Sequence, residues 1–383
     1  MNPVAKFLLK MYSLFVIKNQ KYIIFESGRS FNDNAYALYQ YVKKNFPEYK
    51  RKYLVTSKEM KALGDKAGVD KKEMLLVSKK LSLYRYSLKS KAIFFSYINY
   101  WKKLKLTDKT KLVYTTHGEF PLKDCTKFYE YLCEPQQNKM DIATRTEYTK
   151  EILERKYPIL SNHNLVVLGM PRSDALFNCN INKNEILEKL NAQKDLKIII
   201  SMTTFRSENE RVSYFDHEFP ISLNNEDLDK INEVLKQNNE LLLIKLHPTQ
   251  ENNLVPENKE NIKFITNKEI VELGLTIQTL YSICDAMITD YSTAYLGYLS
   301  LDRKIVFITT DKEKYTADRG WTVENVEEIM PGIKINTKEE LINVLKNLEK
   351  EDEYKENRQA IKLKLVGDYK DQNCKSFTDK YLN

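Results

Sequence analysis

Four short polar segments of this 383-residue sequence combine residue types that can act on a phosphate or a hydroxyl group. In the first, His117 and Gly118 open a turn after an apolar stretch, and the segment runs on to Lys123. Because histidine titrates near neutral pH, His117 could act as a general base on a hydroxyl. The glycine would let the backbone approach a ligand closely. The alternative interpretation is a surface histidine in an ordinary turn.

The second segment carries two side chains that can be cationic, Lys245 and His247. They alternate along the end of an apolar stretch, so in a strand both would point the same way and could hold a diphosphate together. The alternative is an edge strand with exposed polar residues.

The third segment, Asp290-Tyr291-Ser292-Thr293, follows another apolar stretch. Ser292 or Thr293 suits the N-cap of a helix, and the amides of the next turn would then favour a phosphate. Plain helix capping explains the same residues and is compatible with phosphate binding.

The fourth group consists of loop arginines, Arg172, Arg206 and Arg319. A planar guanidinium can bond two phosphate oxygens at once. The sequence contains no G-x-x-x-x-G-K-[ST], G-x-G-x-x-G or G-x-S-x-G motif. The usual signatures of ATP hydrolysis, NAD chemistry and serine hydrolysis are therefore missing.

The elements that must position these residues are short apolar strands separated by helix-length segments. This alternation predicts an α/β fold with parallel sheets covered on both faces. The predicted strands are 21–26, 52–56, 74–77, 92–96, 111–115 and 165–168, followed by 197–201, 241–246, 262–265, 286–289 and 304–308. We expect two Rossmann-like domains, 1–178 and 179–383, the second with a charged helical tail. Ligands would bind in the cleft between them, at the carboxyl ends of the strands.

The charge is distributed unevenly along the chain. The net charge is +8, but residues 1–110 carry +16 and the remainder carries −8. The first part therefore favours an anionic partner. Residues 1–20 mix apolar residues with lysines, which suits either a packed first helix or an interfacial helix on an anionic membrane. No apolar run approaches the 18 residues of a membrane-spanning helix.

Cysteine and histidine contents argue against two kinds of site. The five cysteines form no C-x-x-C pair, and only four histidines occur. We therefore expect neither a disulfide framework nor a zinc site, and a reducing cytoplasm is the simplest location. No carboxylate cluster demands a metal, which leaves Mg²⁺ as an optional cofactor.

Taken in order, the motifs resemble those of the CDP-glycerol glycerophosphotransferases of teichoic-acid synthesis, a family that includes ribitol-phosphate transferases and capsule polymerases. The matching segments are His117–Lys123, Gly169–Asp174, Thr203–Arg206, Lys245–Pro248, Cys284–Thr293 and the set Asp311, Tyr315, Arg319 and Gly320. Three features depart from the family pattern. The first segment has one extra residue, Thr293 replaces a serine, and no proline precedes Arg206. They suggest a relative with another acceptor or polyol.

The resemblance implies a GT-B-like pair of domains, with the CDP-linked donor on the second and the membrane and lipid-linked acceptor on the first. An acceptor hydroxyl would attack the β-phosphorus of CDP-glycerol or CDP-ribitol, and CMP would leave. His117 would be the base, and Asp290 would orient His247 or bind the polyol. The remaining implied site residues are Arg206, Lys245, His247, Tyr291, Ser292, Thr293, Asp311 and Arg319 for the donor, with Gly118, Lys123 and Arg172 for the acceptor.

Other functions stay open at this point. A GT-B glycosyltransferase that uses a nucleotide sugar would have the same fold. The basic first third would also suit a nucleic-acid-binding protein, although no nucleic-acid motif is present. The expected location is the cytoplasmic face of the membrane, as a peripheral protein. Glycerol or ribitol, primer or polymerase, wall polymer or capsule, and the oligomeric state are all undetermined by the sequence.

Overall fold

The computed structural model describes residues 20–28, 31–116, 120, 122–134, 138–204, 219–247 and 257–383. The chain divides into two compact units. The first takes 1–119, 125–174 and 369–383, and the second takes 120–124 and 175–368. This division differs from the predicted boundary at 178, which assigns 120–124 to the first half and the whole C-terminal tail to the second.

Unit 1 is built on a parallel sheet to which seven of the described strands belong. They are β1 (Tyr22–Glu26), β2 (Lys50–Val55), β3 (Met74–Leu76), β4 (Ser90–Phe95), β5 (Lys111–Tyr114), β6 (Asp141–Thr144) and β7 (Asn164–Val167). Their order is β3-β2-β1-β4-β5-β6-β7, and every pairing is parallel. Apolar runs such as Ile23–Phe25 are fully buried, as expected for central strands covered on both faces.

The described helices of unit 1 connect these strands and cover the sheet. They are α1 (Asn34–Asn45), α2 (Lys58–Lys66), α3 (Lys80–Leu88), α4 (Thr126–Cys133), α5 (Glu147–Lys156) and α14 (Asn373–Tyr381), which comes from the end of the chain. Phe377 of α14 and Leu38 of α1 lie in the same buried cluster as Phe25 and Phe94 of the sheet. The last helix is therefore part of the core of unit 1.

Unit 2 contains a second parallel sheet, to which six described strands contribute. They are β8 (Lys197–Met202), β9 (Glu240–Lys245), β10 (Ile262–Ile265), β11 (Ala286–Thr289), β12 (Lys304–Ile308) and β13 (Ile333–Ile335). Their order is β10-β9-β8-β11-β12-β13, again with parallel pairings throughout. The predicted α/β fold with parallel sheets is confirmed.

The described α-helices of unit 2 alternate with its strands. They are α6 (Lys183–Lys189), α7 (Asn225–Gln237), α8 (Asn267–Glu272), α9 (Ile277–Ile283), α10 (Ala294–Tyr298), α11 (Lys312–Arg319), α12 (Lys338–Lys346) and α13 (Lys355–Leu365). Local sequence sets where several of them begin. Thr337 and Glu340 form a capping box at α12, and Asn224 and Asp227 form one at α7.

Each sheet reverses its strand order at one point. In unit 1 the reversal lies between β1 and β4, and in unit 2 it lies between β8 and β11. At such a switch point the connections leave in opposite directions and open a crevice at the carboxyl ends of the two strands. These two places are where a ligand site is expected in each unit.

No helix within the described ranges is both long enough and apolar enough to span a bilayer. The amphipathic segment at 1–19 lies outside the described residues.

Candidate functional site

At the switch point of unit 2, one carboxylate joins the loops that follow β8 and β11. Asp290, the residue directly after β11, is fully buried. Its Oδ1 and Oδ2 accept hydrogen bonds from the Thr204 amide at 2.9 and 3.0 Å, and Oδ2 also accepts one from Thr204 Oγ1 at 2.6 Å. The Ser292 amide donates to Asp290 Oδ1 at 3.0 Å. The predicted residue Asp290 therefore connects the motif segment that contains Thr204 with its own segment by hydrogen bonds.

The hydroxyl residues that follow Asp290 are placed differently from one another. Ser292 Oγ accepts a hydrogen bond from the Ala294 amide at 3.3 Å. Thr293 occupies the N-cap position of α10, but its side chain makes no capping hydrogen bond. Of the two predicted caps, Ser292 is thus the one engaged with the local backbone, while both side chains are partly exposed.

An aromatic cluster links this loop to the motif around Asp311 and Arg319. The ring of Tyr291 lies 4.8 Å from that of Tyr315 and 5.2 Å from that of Trp321, between ring centroids. Tyr315 and Trp321 stack at 5.0 Å with an interplanar angle of 24°. Asp311 sits at the N-terminus of α11, which carries Tyr315, and Arg319 is exposed at its last residue.

The end of the first motif segment also lies in unit 2. Lys123 forms an antiparallel bridge with Trp321. The Thr322 amide donates to the Leu122 carbonyl at 2.7 Å, and the Asp124 amide donates to the Gly320 carbonyl at 3.2 Å. Lys123 is predicted on the acceptor side, but its bridge partner Trp321 contacts Tyr291, which is predicted to bind the donor. This bridge explains why 120–124 belong to unit 2.

Lys245 and His247 lie at the end of β9, the strand next to β8. Lys245 is the last residue of β9, is 9% exposed and pairs in register with Ile265. His247 is exposed. Because β9 neighbours β8 in a parallel sheet, these two residues lie at the same edge as Thr204, one strand away from it.

The switch point of unit 1 holds two buried carboxyl groups that the sequence did not single out. Glu26, the last residue of β1, accepts backbone hydrogen bonds from Gly28 at 2.7 Å, Tyr97 at 3.1 Å and Ile98 at 3.0 Å. It thereby joins the chain after β1 to the chain after β4. Burial raises the pKa of Glu26 above its usual value of 4.5, although these hydrogen bonds oppose the shift.

Asp33, the second carboxyl group, caps α1 by accepting the Ala35 amide at 3.1 Å. Burial, together with the charge of Glu26, raises the pKa of Asp33 to about 8. The charge of Arg172 and a hydrogen bond to Ser96 act in the opposite direction. Of the predicted acceptor-side residues, Arg172 is therefore near this carboxyl pair.

The motif Gly169–Asp174 anchors the C-terminal helix within unit 1. Asp174 accepts hydrogen bonds from the Asn373 amide at 2.9 Å, from Asn373 Nδ2 at 2.7 Å and from the Cys374 amide at 2.8 Å. Asn373 Oδ1 in turn accepts the Met170 amide at 2.9 Å. Gly169 has φ +76°, and a Cβ there would lie 2.1 Å from Asn373 Oδ1. These contacts account for the assignment of 369–383 to unit 1.

Three predicted site residues, His117, Gly118 and Arg206, lie outside the described residues. Across the ranges that are described, no group of three or more His, Cys, Asp or Glu side chains is arranged to hold a metal ion.

Several known proteins are similar to this chain. The chain is 25% identical over 371 residues to the teichoic acid poly(glycerol phosphate) polymerase of Bacillus subtilis (strain 168), covering 91% of this chain and 47% of that protein. It is 27% identical over 372 residues to the protein of the same name from Bacillus spizizenii (strain W23), covering 88% of each. The chain thus spans about half the length of the first relative and most of the second.

A solved structure of the wall teichoic acid polymerase TagF has the same fold, with a TM-score of 0.75 at 20% identity, covering 100% of this chain and 98% of that one. Residues 8–376 match the family described as CDP-glycerol:poly(glycerophosphate) glycerophosphotransferase. Since the match extends over most of the sequence, the chain belongs to this glycerophosphotransferase family.

Proposed function

We propose that this chain transfers a polyol phosphate, either glycerol phosphate or ribitol phosphate, from a CDP-linked donor to a hydroxyl of a lipid-linked acceptor in teichoic-acid or capsule synthesis. The observation that carries the proposal is the meeting of family motifs at the switch point of unit 2. Asp290 binds Thr204 of one motif, and Tyr291 contacts Tyr315 and Trp321 near another. In a member of this family, that crevice suits the nucleotide donor.

On the donor side, Lys245, His247 and Arg206 hold the diphosphate. Phosphoryl transfer spreads negative charge over the oxygens of the transferred group, so placed cations supply much of the catalysis. Ser292 and Thr293 donate hydrogen bonds to the phosphate nearer the cytidine. Tyr291, Asp311 and Arg319 complete the donor site, and Asp290 orients its loops through the contacts to Thr204 and Ser292.

On the acceptor side, His117 is the general base. It takes the proton of the acceptor hydroxyl while the hydroxyl oxygen forms a bond to the β-phosphorus. The bond between that phosphorus and the bridging oxygen breaks, and CMP leaves with the oxygen. Gly118, Lys123 and Arg172 bind the acceptor. Correct placement of the hydroxyl is a large part of the acceleration, because it replaces a collision with an intramolecular encounter.

The membrane is the expected place of action. Residues 1–110 carry a net charge of +16, which favours an anionic surface such as the cytoplasmic face of the cell membrane. The enzyme acts there as a peripheral protein, where it meets the lipid-linked acceptor.

The test is a donor screen with a lipid-linked acceptor. The purified chain is incubated separately with CDP-glycerol, CDP-ribitol and UDP-sugars, and CMP release, UDP release and product length are measured. We expect CMP release with one CDP-polyol, and the product length separates a primer role from a polymerase role. Release of UDP without CMP would replace the proposal by nucleotide-sugar glycosyl transfer.

A His117→Ala variant tests the assigned base. Transfer should be abolished, whereas binding of the CDP donor, measured by calorimetry, should stay close to that of the wild type. Turnover of this variant at the wild-type rate would show that His117 is not the base.

A further inference from the structure

One buried side chain of unit 1, that of Asn34, connects three separate parts of the chain at the switch-point edge. Asn34 is the first residue of α1 and is fully buried. Its Nδ2 donates to the carbonyl oxygens of Thr115 at 2.9 Å and Thr116 at 3.0 Å. Its Oδ1 accepts the Arg172 amide at 3.2 Å. A single amide group therefore satisfies backbone groups after β5 and after β7.

The backbone that Asn34 holds is strained. Thr116 has φ +61°, a left-handed conformation that is rare for a β-branched residue. Such a conformation costs about 1–3 kcal/mol and persists only where surrounding contacts enforce it. Here Asn34 Nδ2 contacts both the carbonyl and the hydroxyl of Thr116, the latter at 3.4 Å, and Thr116 Oγ1 also lies 3.4 Å from Met170 Sδ. Enforced strain of this kind clusters at functional sites.

The strained residue, Thr116, lies next to the proposed catalytic base. Thr116 directly precedes His117, and Arg172, whose amide donates to Asn34, is a predicted acceptor-side residue. We propose that Asn34 is a positioning residue, which sets the backbone that leads into His117 relative to the backbone of Arg172. Its effect on turnover rests on the proposed function, in which His117 is the base, but its effect on the surroundings of His117 does not.

The direct test uses the histidine rings as reporters. The chain contains four histidines, His117, His163, His217 and His247, so a sample labelled at the histidine Cε1 gives few resonances, each assigned by substitution. In Asn34→Ala we expect the His117 resonance to move by more than its line width, while the His163 resonance stays in place. An unmoved His117 resonance overturns the proposal.

Asn138→Ala is the matched control. Asn138 has the same bonding pattern, since its Nδ2 donates to the carbonyls of Trp101 at 3.1 Å and Leu104 at 2.7 Å and its Oδ1 accepts the Leu106 amide at 2.9 Å. It precedes β6 at the opposite edge of the sheet and shares a cavity of about 290 Å³ with His163. We expect this substitution to move the His163 resonance and leave that of His117 unchanged. A shift of the His117 resonance equal to that in Asn34→Ala would mean only general loosening of unit 1 and would overturn the proposal.

Turnover provides the second measurement. Misplacement of a reacting group by about 1 Å costs up to roughly 100-fold in rate. We therefore expect kcat of Asn34→Ala to fall by about 10-fold to 100-fold, with KM for the CDP donor within about twofold, because the donor site lies in the other unit. An unchanged kcat, or a fall in donor affinity alone, contradicts the proposal.

A second variant covers the case in which Asn34→Ala does not fold. Asn34→Asp has the same shape and keeps the acceptor for the Arg172 amide, but it removes the amide donor from the Thr115 and Thr116 carbonyls. It should move the His117 resonance as the alanine variant does. If the wild type releases CMP from no CDP-polyol, the proposed function fails, while the histidine resonances still decide whether Asn34 positions His117.

Discussion

Replacing Asp33 by asparagine should change how the stability of unit 1 depends on pH. Asp33 is 5% exposed, and burial beside Glu26 raises its pKa from 3.8 to about 8. The other charged or titratable groups that act on it are Arg172, which favours the ionised form, and Tyr53. Asparagine is as good an N-cap as aspartate, so Asp33→Asn keeps the cap of α1 and removes only the ionisation.

The direction of the change in unfolding free energy with pH follows from the proton that Asp33 keeps in the folded state. Between about pH 4 and pH 8 the folded protein keeps Asp33 protonated, whereas the unfolded chain releases the proton. The free energy of unfolding of the wild type therefore falls as the pH rises through this window, by up to about 1.4 kcal/mol per pH unit from this group. The variant lacks that contribution. Its stability relative to the wild type should rise by about 3 kcal/mol between pH 5 and pH 7.5.

Urea unfolding followed by tryptophan fluorescence measures this difference in unit 1 alone. The chain has two tryptophans, the buried Trp101 in unit 1 and Trp321 in unit 2, so a Trp321→Phe background leaves Trp101 as the reporter. Asp65→Asn is the control, because Asp65 is an exposed carboxylate of the same unit and stays solvated on folding. If Asp33→Asn changes the unfolding free energy equally at pH 5 and pH 7.5, the claim that Asp33 is protonated in the folded state is refuted.

Three further substitutions test contacts that lie within one unit or the other. Asp290→Ala leaves the buried end of the Thr204 loop without its acceptor, so we expect a loss of about 1–3 kcal/mol of unfolding free energy and a weaker calorimetric affinity for the CDP donor. Arg358→Met removes a guanidinium that is 1% exposed and pairs with two carboxylates, which should destabilise unit 2 by about 3 kcal/mol without changing turnover per folded molecule. Gly169→Ala brings a Cβ to 2.1 Å from Asn373 Oδ1 at a positive φ, so limited proteolysis should remove α14 faster than in the wild type. An unchanged donor affinity in Asp290→Ala, an unchanged stability in Arg358→Met or an unchanged cleavage rate in Gly169→Ala would contradict the importance of the contact concerned.

Eleven of the thirteen described strands were predicted from the sequence, three of them with exact bounds. The predicted strands at 262–265, 286–289 and 304–308 have the same bounds in the structure. Two strands were missed, β6 and β13, with the sequences DIAT and IKI. Their apolar signal is too short for periodicity to register, and in the fold they are held by pairing with neighbouring strands.

The C-terminal tail shows a different limit of sequence-based prediction. Residues 351–381 carry a charged helical pattern and were predicted as a tail of the second half. The structure divides them into α13 and α14, and α14 packs in unit 1. The reason is the bonding of Asp174 to Asn373 and Cys374, across about 200 positions of the chain. A contact at that separation leaves no trace in local composition or periodicity.

The sequence predicted those site residues that directly follow an apolar strand. It missed those whose importance depends on which strands are neighbours in the sheet. Asp290 and Ser292 could be chosen because they directly follow an apolar strand. Glu26 also ends such a strand, but its significance depends on β1 and β4 being neighbours, which only the sheet order reveals. Asp33 and Asn34 belong to no motif, and their importance comes from burial and from partners far away in the sequence. The predicted roles of the site residues stay predictions until the variants are measured.

The net charge of −8 on residues 111–383 is compatible with the proposed anionic donor, because hydrogen bonds stabilise the acid at the switch point of unit 2. Asp290 is fully buried, and two backbone amides and one hydroxyl donate to its oxygens. Hydrogen bonds of this kind replace the solvent around a buried carboxylate and stabilise its charge. Other acids of this unit, such as Asp285 at 2.7 Å from Lys183, are paired before the strands begin, at the opposite edge of the sheet. At the carboxyl edge, near neighbours affect Lys245 more than the net charge of residues 111–383 does, because salt screens exposed charges that lie farther away.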